Sequence, residues 1–184
     1  MSSPQFLSTL SCLAEREIHI KKLIEDQKFN SNGFYYVRLN INGVWRYIVV
    51  DDALPEADEI AIGARSFSDS EADVWPAIIE KAYAKAYAGY NVFKKNVPRE
   101  HYLKDLTGSP VRSFSVTDSN LSNEVSKAIS KGYPVIAVPN NKIVDLRLNP
   151  NYSFNVLKCS GKGGLELRNS WGTINERPNV SLSK

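Results

Sequence analysis

A chain of 184 residues is the size of one domain or two small lobes, and 42% apolar with 10% aromatic residues supplies a sizeable core, which argues against wholesale disorder. The 23 Lys and Arg against 20 Asp and Glu leave a formal charge of +3 without a basic block, so no electrostatic footprint for nucleic acid or an anionic membrane stands out. Cys12 and Cys159 make no disulfide framework or zinc cluster, no apolar run approaches the ~18 residues of a membrane span, and residues 1 to 5 lack the basic start of a secretory signal, so a cytoplasmic, reduced setting is expected.

Residues 3 to 15 predict a helix, with Ser3 able to cap, Pro4 suited to the first position, and Phe6, Leu7, Leu10 and Leu13 at the helical period. A short helix around Ile18, His19, Lys22 and Leu23 follows. Residues 34 to 40 and 44 to 50 are β-rich runs joined through Asn42-Gly43, the signature of a tight hairpin. Residues 56 to 72 read as an exposed loop. From Asp73 the helical period returns in Ile78, Ile79, Ala82, Tyr83, Ala86 and Tyr90, with Pro76 tolerated in the first turn. A helix from Arg99 to Leu106 ends at Gly108, and Ser109-Pro110 marks a boundary between lobes. Beyond it the pattern predicts a strand over 111 to 116, a helix over 121 to 131, a strand over 134 to 138 and a strand pair over 152 to 159 and 164 to 169. The tail after Gly172 has no clear period.

These segments resemble a family. Val37-Arg38-Leu39, Gly43-Val44-Trp45, Val49-Val50-Asp51-Asp52-Ala53-Leu54-Pro55 and Trp75-Pro76-Ala77-Ile78-Ile79-Glu80-Lys81-Ala82-Tyr83-Ala84-Lys85 look like the protease core of calpains. Leu103-Lys104-Asp105-Leu106-Thr107-Gly108 resembles the segment linking that family's two lobes, and Leu167-Arg168-Asn169-Ser170-Trp171-Gly172 resembles its catalytic asparagine motif. The resemblance runs over residues 6 to about 173. It implies an α+β, papain-like fold with a helical lobe over 1–108 and a shortened β-rich lobe over 109–184, the site lying in the cleft between them.

The family's chemistry needs a thiolate at a helix N-terminus, an imidazole base, an amide that orients it, and oxyanion donors. Laying the family's Gly-Asp-Cys-Trp-Phe-Leu pattern on Phe6-Leu7 puts Pro4 at the nucleophile. Laying its His-Ala-Tyr-Ser pattern on Tyr152-Ser153 puts Pro150 at the base. Both catalytic positions are therefore degenerate by this mapping, and Asn169, with Trp171 beside it, is the retained relic. The oxyanion glutamine falls upstream of Pro4, where residues 1 to 3 supply none. The calcium-binding segments of the family are absent or rewritten, so neither calcium nor any other metal or cofactor is expected.

Plainer roles suit the other candidates. Cys12, two turns into the first helix, and Cys159 read as packed thiols. His19 and His101 fall outside the base motif, Asp51-Asp52 suits a turn and an ion pair, and Trp45, Trp75, Tyr83, Tyr87 and Tyr90 read as mostly core. Asn140-Asn141 and Gly161-Lys162-Gly163 read as turns. The reading that follows is a calpain-like pseudoprotease domain that binds a protein or peptide partner in its cleft, with no nucleic acid or membrane partner. The alternatives are an active calpain-type cysteine endopeptidase whose catalytic residues are unidentified or supplied by a partner, and a fragment of a larger protein.

Overall fold

The computed structural model describes residues 3–24, 31–54, 56–57, 60–61, 74–95, 97–139, 153–160, 164–169 and 179–181. Helix α1 spans Pro4–Ala14, and Ser3 caps it by accepting the Phe6 N–H at 3.3 Å. Helix α2, Glu17–Lys21, is a single turn that buries Ile20. Strands β1 (Phe34–Ile41) and β2 (Val44–Asp51) form an antiparallel hairpin in register from Phe34↔Asp51 to Ile41↔Val44. Asn42 and Gly43 both have positive φ, 53° and 82°, the geometry whose twist matches a two-residue hairpin. One hairpin face carries Tyr35, Val37, Leu39 and Ile41 into the core; the other leaves Phe34, Tyr36 and Tyr47 more than half exposed.

Residues 56 to 61, expected as plain loop, contribute a small strand pair, β3 (Glu56–Ala57) with β4 (Ile60–Ala61). Helix α3, Trp75–Ala86, then lies on the hairpin with Ala77, Ile78, Ile79, Ala82 and Tyr83 buried. A 3₁₀ helix over Tyr90–Lys94 adds Val92 and Phe93, and α4, Arg99–Thr107, closes the layer. Phe6 is the hub of this first core, with ring centroids 5.2 Å from Tyr83, 5.0 Å from Phe93 and 5.4 Å from Tyr102. Such pairs add about 0.5–1.5 kcal/mol each beyond their buried area. Asp105 ties α4 to α3, its Oδ2 accepting the Tyr83 hydroxyl at 2.7 Å and the Tyr87 hydroxyl at 2.5 Å. Burial and then the Asp105 carboxylate push Tyr87 up to about 12 and Tyr83 up as well, so both phenols stay protonated donors.

The second core is smaller. Helix α5, Leu121–Ser130, lays Val125 against a four-stranded antiparallel sheet of β5 (Ile136–Ala137), β6 (Phe154–Cys159), β7 (Gly164–Asn169) and β8 (Asn179–Ser181), in that order. Phe154, Val156, Leu165 and Leu167 fill it.

Three further expectations are corrected. No strand forms over 111 to 116: no strand among the described residues pairs with it, and residues 112 to 116 are exposed and lead into a turn where Asp118 accepts the Ser115 N–H at 2.8 Å. The tail without a clear period supplies β8, which is recruited by the edge of β7 rather than by its own pattern. Trp45, Tyr87 and Tyr90 are 37%, 36% and 40% exposed rather than core: Trp45 lies on the outer face of the hairpin with Arg38 and Tyr47, and Tyr87 and Tyr90 border the first cluster through Tyr83 and Phe93.

Gly108 ends α4 with φ +66°, and a Cβ there would meet Trp45 Cζ2 at 2.5 Å. Trp45 is itself backed by Arg38, whose guanidinium carbon lies 4.6 Å from the ring centre. Gly108→Ala should therefore lower the unfolding free energy in urea by about 1–3 kcal/mol, and by only about 1 kcal/mol in a Trp45→Ala background, where the left-handed strain alone remains. Equal losses in both backgrounds would show that the ring contact does not matter.

Candidate functional site

The motif mapping leads to the expectation of the family's chemistry at two places, the N-terminus of α1 and the start of the second sheet. Pro4 is the first residue of α1 and is exposed, its ring replacing a backbone donor that the helix leaves unused anyway. Asn169 is the last residue of β7 and pairs across the ladder with Phe154 of β6. Pro150 and Trp171 lie outside the described residues, as do the turns at Asn140-Asn141 and Gly161-Lys162-Gly163.

Helix α4 spans the space between these two places. Its Tyr102 packs on Phe6 of α1, and one turn earlier Arg99 donates through Nε to the buried Ser153 Oγ, directly before Phe154. Burial lowers the proton affinity of Arg99 below its ordinary value, with Glu100 opposing the shift. A guanidinium remains protonated under these conditions, so a charged donor stands between the helix start and the sheet.

The rest of the seam follows α1 toward its C-terminus. Asn155, fully buried on β6, donates through Nδ2 to Ser11 Oγ at 2.9 Å and to Glu15 Oε1 at 3.2 Å, and Glu15 pairs with Arg168 of β7 at 2.8 Å. The Cys12 thiol donates to the Val135 carbonyl at 3.5 Å, Arg16 reaches the Ile129 carbonyl at 3.4 Å, and His19 Nε2 meets the Gly132 carbonyl at 3.1 Å. Burial pushes the Cys12 thiol up to about 12, with the Val135 bond acting in the opposite direction. Cys12 and His19 line one cleft of about 170 Å³, together with Arg16, Gly132, Tyr133 and Val135. Cys159 is half-buried at the end of β6, beside Ser122 at 3.6 Å, and His101 is exposed on α4.

On the far side of the first lobe, Asp51 forms an ion pair with Lys81, and that hydrogen bond holds its carboxyl below the usual carboxylate range. Lys81 also donates to the Ala53 carbonyl at 2.6 Å, which agrees with the turn and ion-pair role expected of Asp51. Lys81, Lys85 and Tyr90 line a second hollow of about 200 Å³. Both hollows fall below the ~300–1,000 Å³ of typical small-molecule sites, so neither is shaped for a sizeable cofactor. Among the described residues no group of three or more His, Cys, Asp or Glu could hold a metal ion. No helix among them is long and apolar enough to cross a membrane.

The seam residues were not legible as site residues in the sequence. Ser11 and Asn155 stand 144 residues apart, and neither belongs to a motif.

The family described as calpain family cysteine protease matches residues 4–177. Calpain-7 of Homo sapiens and of Sus scrofa are each 29% identical over 164 residues, covering 81% of this chain. A calpain-type cysteine protease of Zea mays, DEK1, is 35% identical over 103 residues, covering 56% of this chain. The chain spans 20% of the length of each Calpain-7 and 5% of the maize protein. With the match running over nearly the whole chain and an α+β architecture of two cores joined along α1, this chain belongs to the calpain family of cysteine proteases, as a calpain-like protease core.

Proposed function

We propose that the chain is a calpain-like pseudoprotease domain, a module that binds a protein or peptide partner in the cleft between lobes 1–108 and 109–184 and hydrolyses nothing. The observation that carries this reading is Pro4 at the first position of α1, where the family's mechanism needs a thiol. Pro150, at the position mapped to the base, has no titratable nitrogen and cannot shuttle a proton. A cleft without a nucleophile still offers sheet edges and side-chain pockets to an extended peptide, and the small size of both hollows favours a macromolecular partner over a metabolite. Free Cys12 and Cys159 suit a reduced, cytoplasmic setting, and no nucleic acid or membrane partner is expected.

One observation favours a second reading, an active cysteine endopeptidase with a relocated pair: Cys12 and His19 line the same cleft. Against it, the thiol is occupied by the Val135 carbonyl and the His19 ring nitrogen meets Gly132. With a pKa of about 12, the thiolate fraction at pH 8 is about 10⁻⁴.

Turnover of a fluorogenic peptide separates the readings. The parent chain and the single variants Pro4→Cys and Pro150→His should leave the peptide intact, because each lacks half of the ion pair. The double variant should exceed the product of the two single effects, since such residues act as a unit, yet remain weak. The tested chain supplies no glutamine upstream of Pro4, and loss of one oxyanion donor typically costs about 10² to 10³ in rate. Robust hydrolysis by the parent, abolished by Cys12→Ala, would establish the endopeptidase instead.

Thiol chemistry gives an independent check. At pH 8 an iodoacetamide label should enter Cys12 only on unfolding. The unfolded chain sheds that proton near the ordinary 9.0 and the folded chain only near 12, so the unfolded state binds fewer protons between these values and stability should fall as pH rises through that window. Fast native labelling of Cys12 at pH 8 contradicts the packed thiol. Calcium tests the expected lack of a metal cofactor: millimolar calcium should leave the melting temperature unmoved, whereas binding at 100 times Kd would add about 2.7 kcal/mol, reversible by chelator.

A further inference from the structure

Between the two cores runs a segment that the proposed cleft does not use. Residues 112 to 120 are exposed throughout, with Phe114 41% and Val116 63% exposed, and nothing from Gly108 to Asn120 enters a helix or strand. Of the nine arginines in the chain, only Arg65 and Arg112 stand three residues before a serine or threonine, at Ser68 and Ser115. Arg112 is free to move: its side chain is 75% exposed, its ion pair to Glu124 is 3.4 Å long, and its guanidinium carbon lies 5.2 Å from the centre of the Phe114 ring. We infer that Ser115, on the exposed segment joining the two cores, is a phosphate-acceptor site for a serine/threonine kinase that selects an arginine three residues upstream, and that phosphorylation opens the turn before α5.

The acceptor geometry is local and complete. Ser115 Oγ lies 2.9 Å from Thr117 Oγ1 and accepts the Thr117 N–H at 3.3 Å, while Asp118 Oδ2 accepts the Ser115 N–H at 2.8 Å and the Asp118 N–H returns to the Ser115 carbonyl at 3.1 Å. An unpaired, irregular segment can be drawn out into the extended form that a kinase cleft holds without breaking a strand or helix. In the transfer, Ser115 Oγ attacks the γ-phosphorus of a nucleoside triphosphate. The new O–P bond forms as the bond to the β,γ-bridging oxygen breaks, the nucleoside diphosphate leaves, and the hydroxyl proton passes to a carboxylate of the kinase.

The product carries about −1.5 to −2 charges beside the Asp118 carboxylate. Like charges in one tight turn repel, so the Asp118 bond to the Ser115 N–H is the contact that gives way. Arg112 can exchange its long bond to Glu124 for a charge-assisted, two-pronged one to the phosphate. Glu124 sits in the first turn of α5, so the rearrangement reaches the helix that roofs the second core.

The experiment uses the whole chain with Ser68→Ala, so that the other arginine-matched serine is silent, incubated with ATP and a kinase of this class whose activity on a control peptide is verified. Mass spectrometry should find one phosphate on Ser115, absent in Ser115→Ala and slowed at least about tenfold in Arg112→Ala. Amide exchange at Ser115, Thr117 and Asp118 should then accelerate about tenfold or more. No phosphate, or a phosphate on Ser109, Ser113, Thr117 or Ser119 instead, overturns the acceptor assignment. Phosphate on Ser115 with unchanged exchange overturns the opening of the turn.

Discussion

Helix α1 has to be buried on two sides at once, and the positions of nearly all the other elements follow from that requirement. Phe6, Leu10 and Leu13 enter the first core, while Ser8, Thr9 and Cys12 are also buried. A helix apolar all round would satisfy burial but would specify no partner for its second side. Here that side is made of small polar residues whose groups are already satisfied. Ser8 and Thr9 hydroxyls donate back to the Gln5 carbonyl at 3.0 and 2.8 Å, so they can be covered without stranding a donor. The sheet of the second core can then approach closely enough for Asn155 to reach Ser11 and Glu15.

The contacts across this seam are polar where each core is apolar, which makes them more useful for register than for stability. A net hydrogen bond contributes about 0.5–1.5 kcal/mol, and the partly exposed Glu15–Arg168 pair roughly 0.5–1 kcal/mol. Asn155 Oδ1 stays buried without a partner among the described residues, a cost of about 1–3 kcal/mol that offsets part of the gain from its two donors. What these groups fix is how far the sheet slides along α1, because only one alignment satisfies Ser11, Glu15, Asn155 and Arg168 together. Arg99 with Ser153 anchors the same end of that sheet, two residues before Asn155. The pseudoprotease reading takes meaning from this: a cleft held by a specific polar seam keeps its shape whether or not a nucleophile stands at its mouth.

The fold was legible in the sequence wherever a residue's own neighbours decide its conformation. Ser3-Pro4 before the spacing of Phe6, Leu10 and Leu13, the Asn42-Gly43 turn, and Gly108 after α4 each appear where the pattern put them, since caps, positive φ and the helical period act within a few residues. The pattern failed where a strand needs a partner. Residues 111 to 116 have strand-forming composition but no strand among the described residues pairs with them, and residues 179 to 181 have no period but lie along β7. It failed also for Trp45 and Tyr90, because large rings at helical or strand spacing say which side of an element they occupy, not whether that side is covered.

At the candidate site the division is sharper. The sequence alone supplied the expectation that a proline occupies the position of the family's nucleophile, because laying one motif on another requires no coordinates. It also determined that Cys12 lies too deep in α1 to feel the helix dipole. Only the tertiary structure decided that the Cys12 thiol is sealed against the Val135 carbonyl, and that α4 carries Arg99 from the first core to Ser153 beside the second sheet. Those contacts join residues 123 and 54 positions apart, and no local pattern encodes them. They arise when two apolar cores form on either side of one helix and the polar groups left between them must find each other.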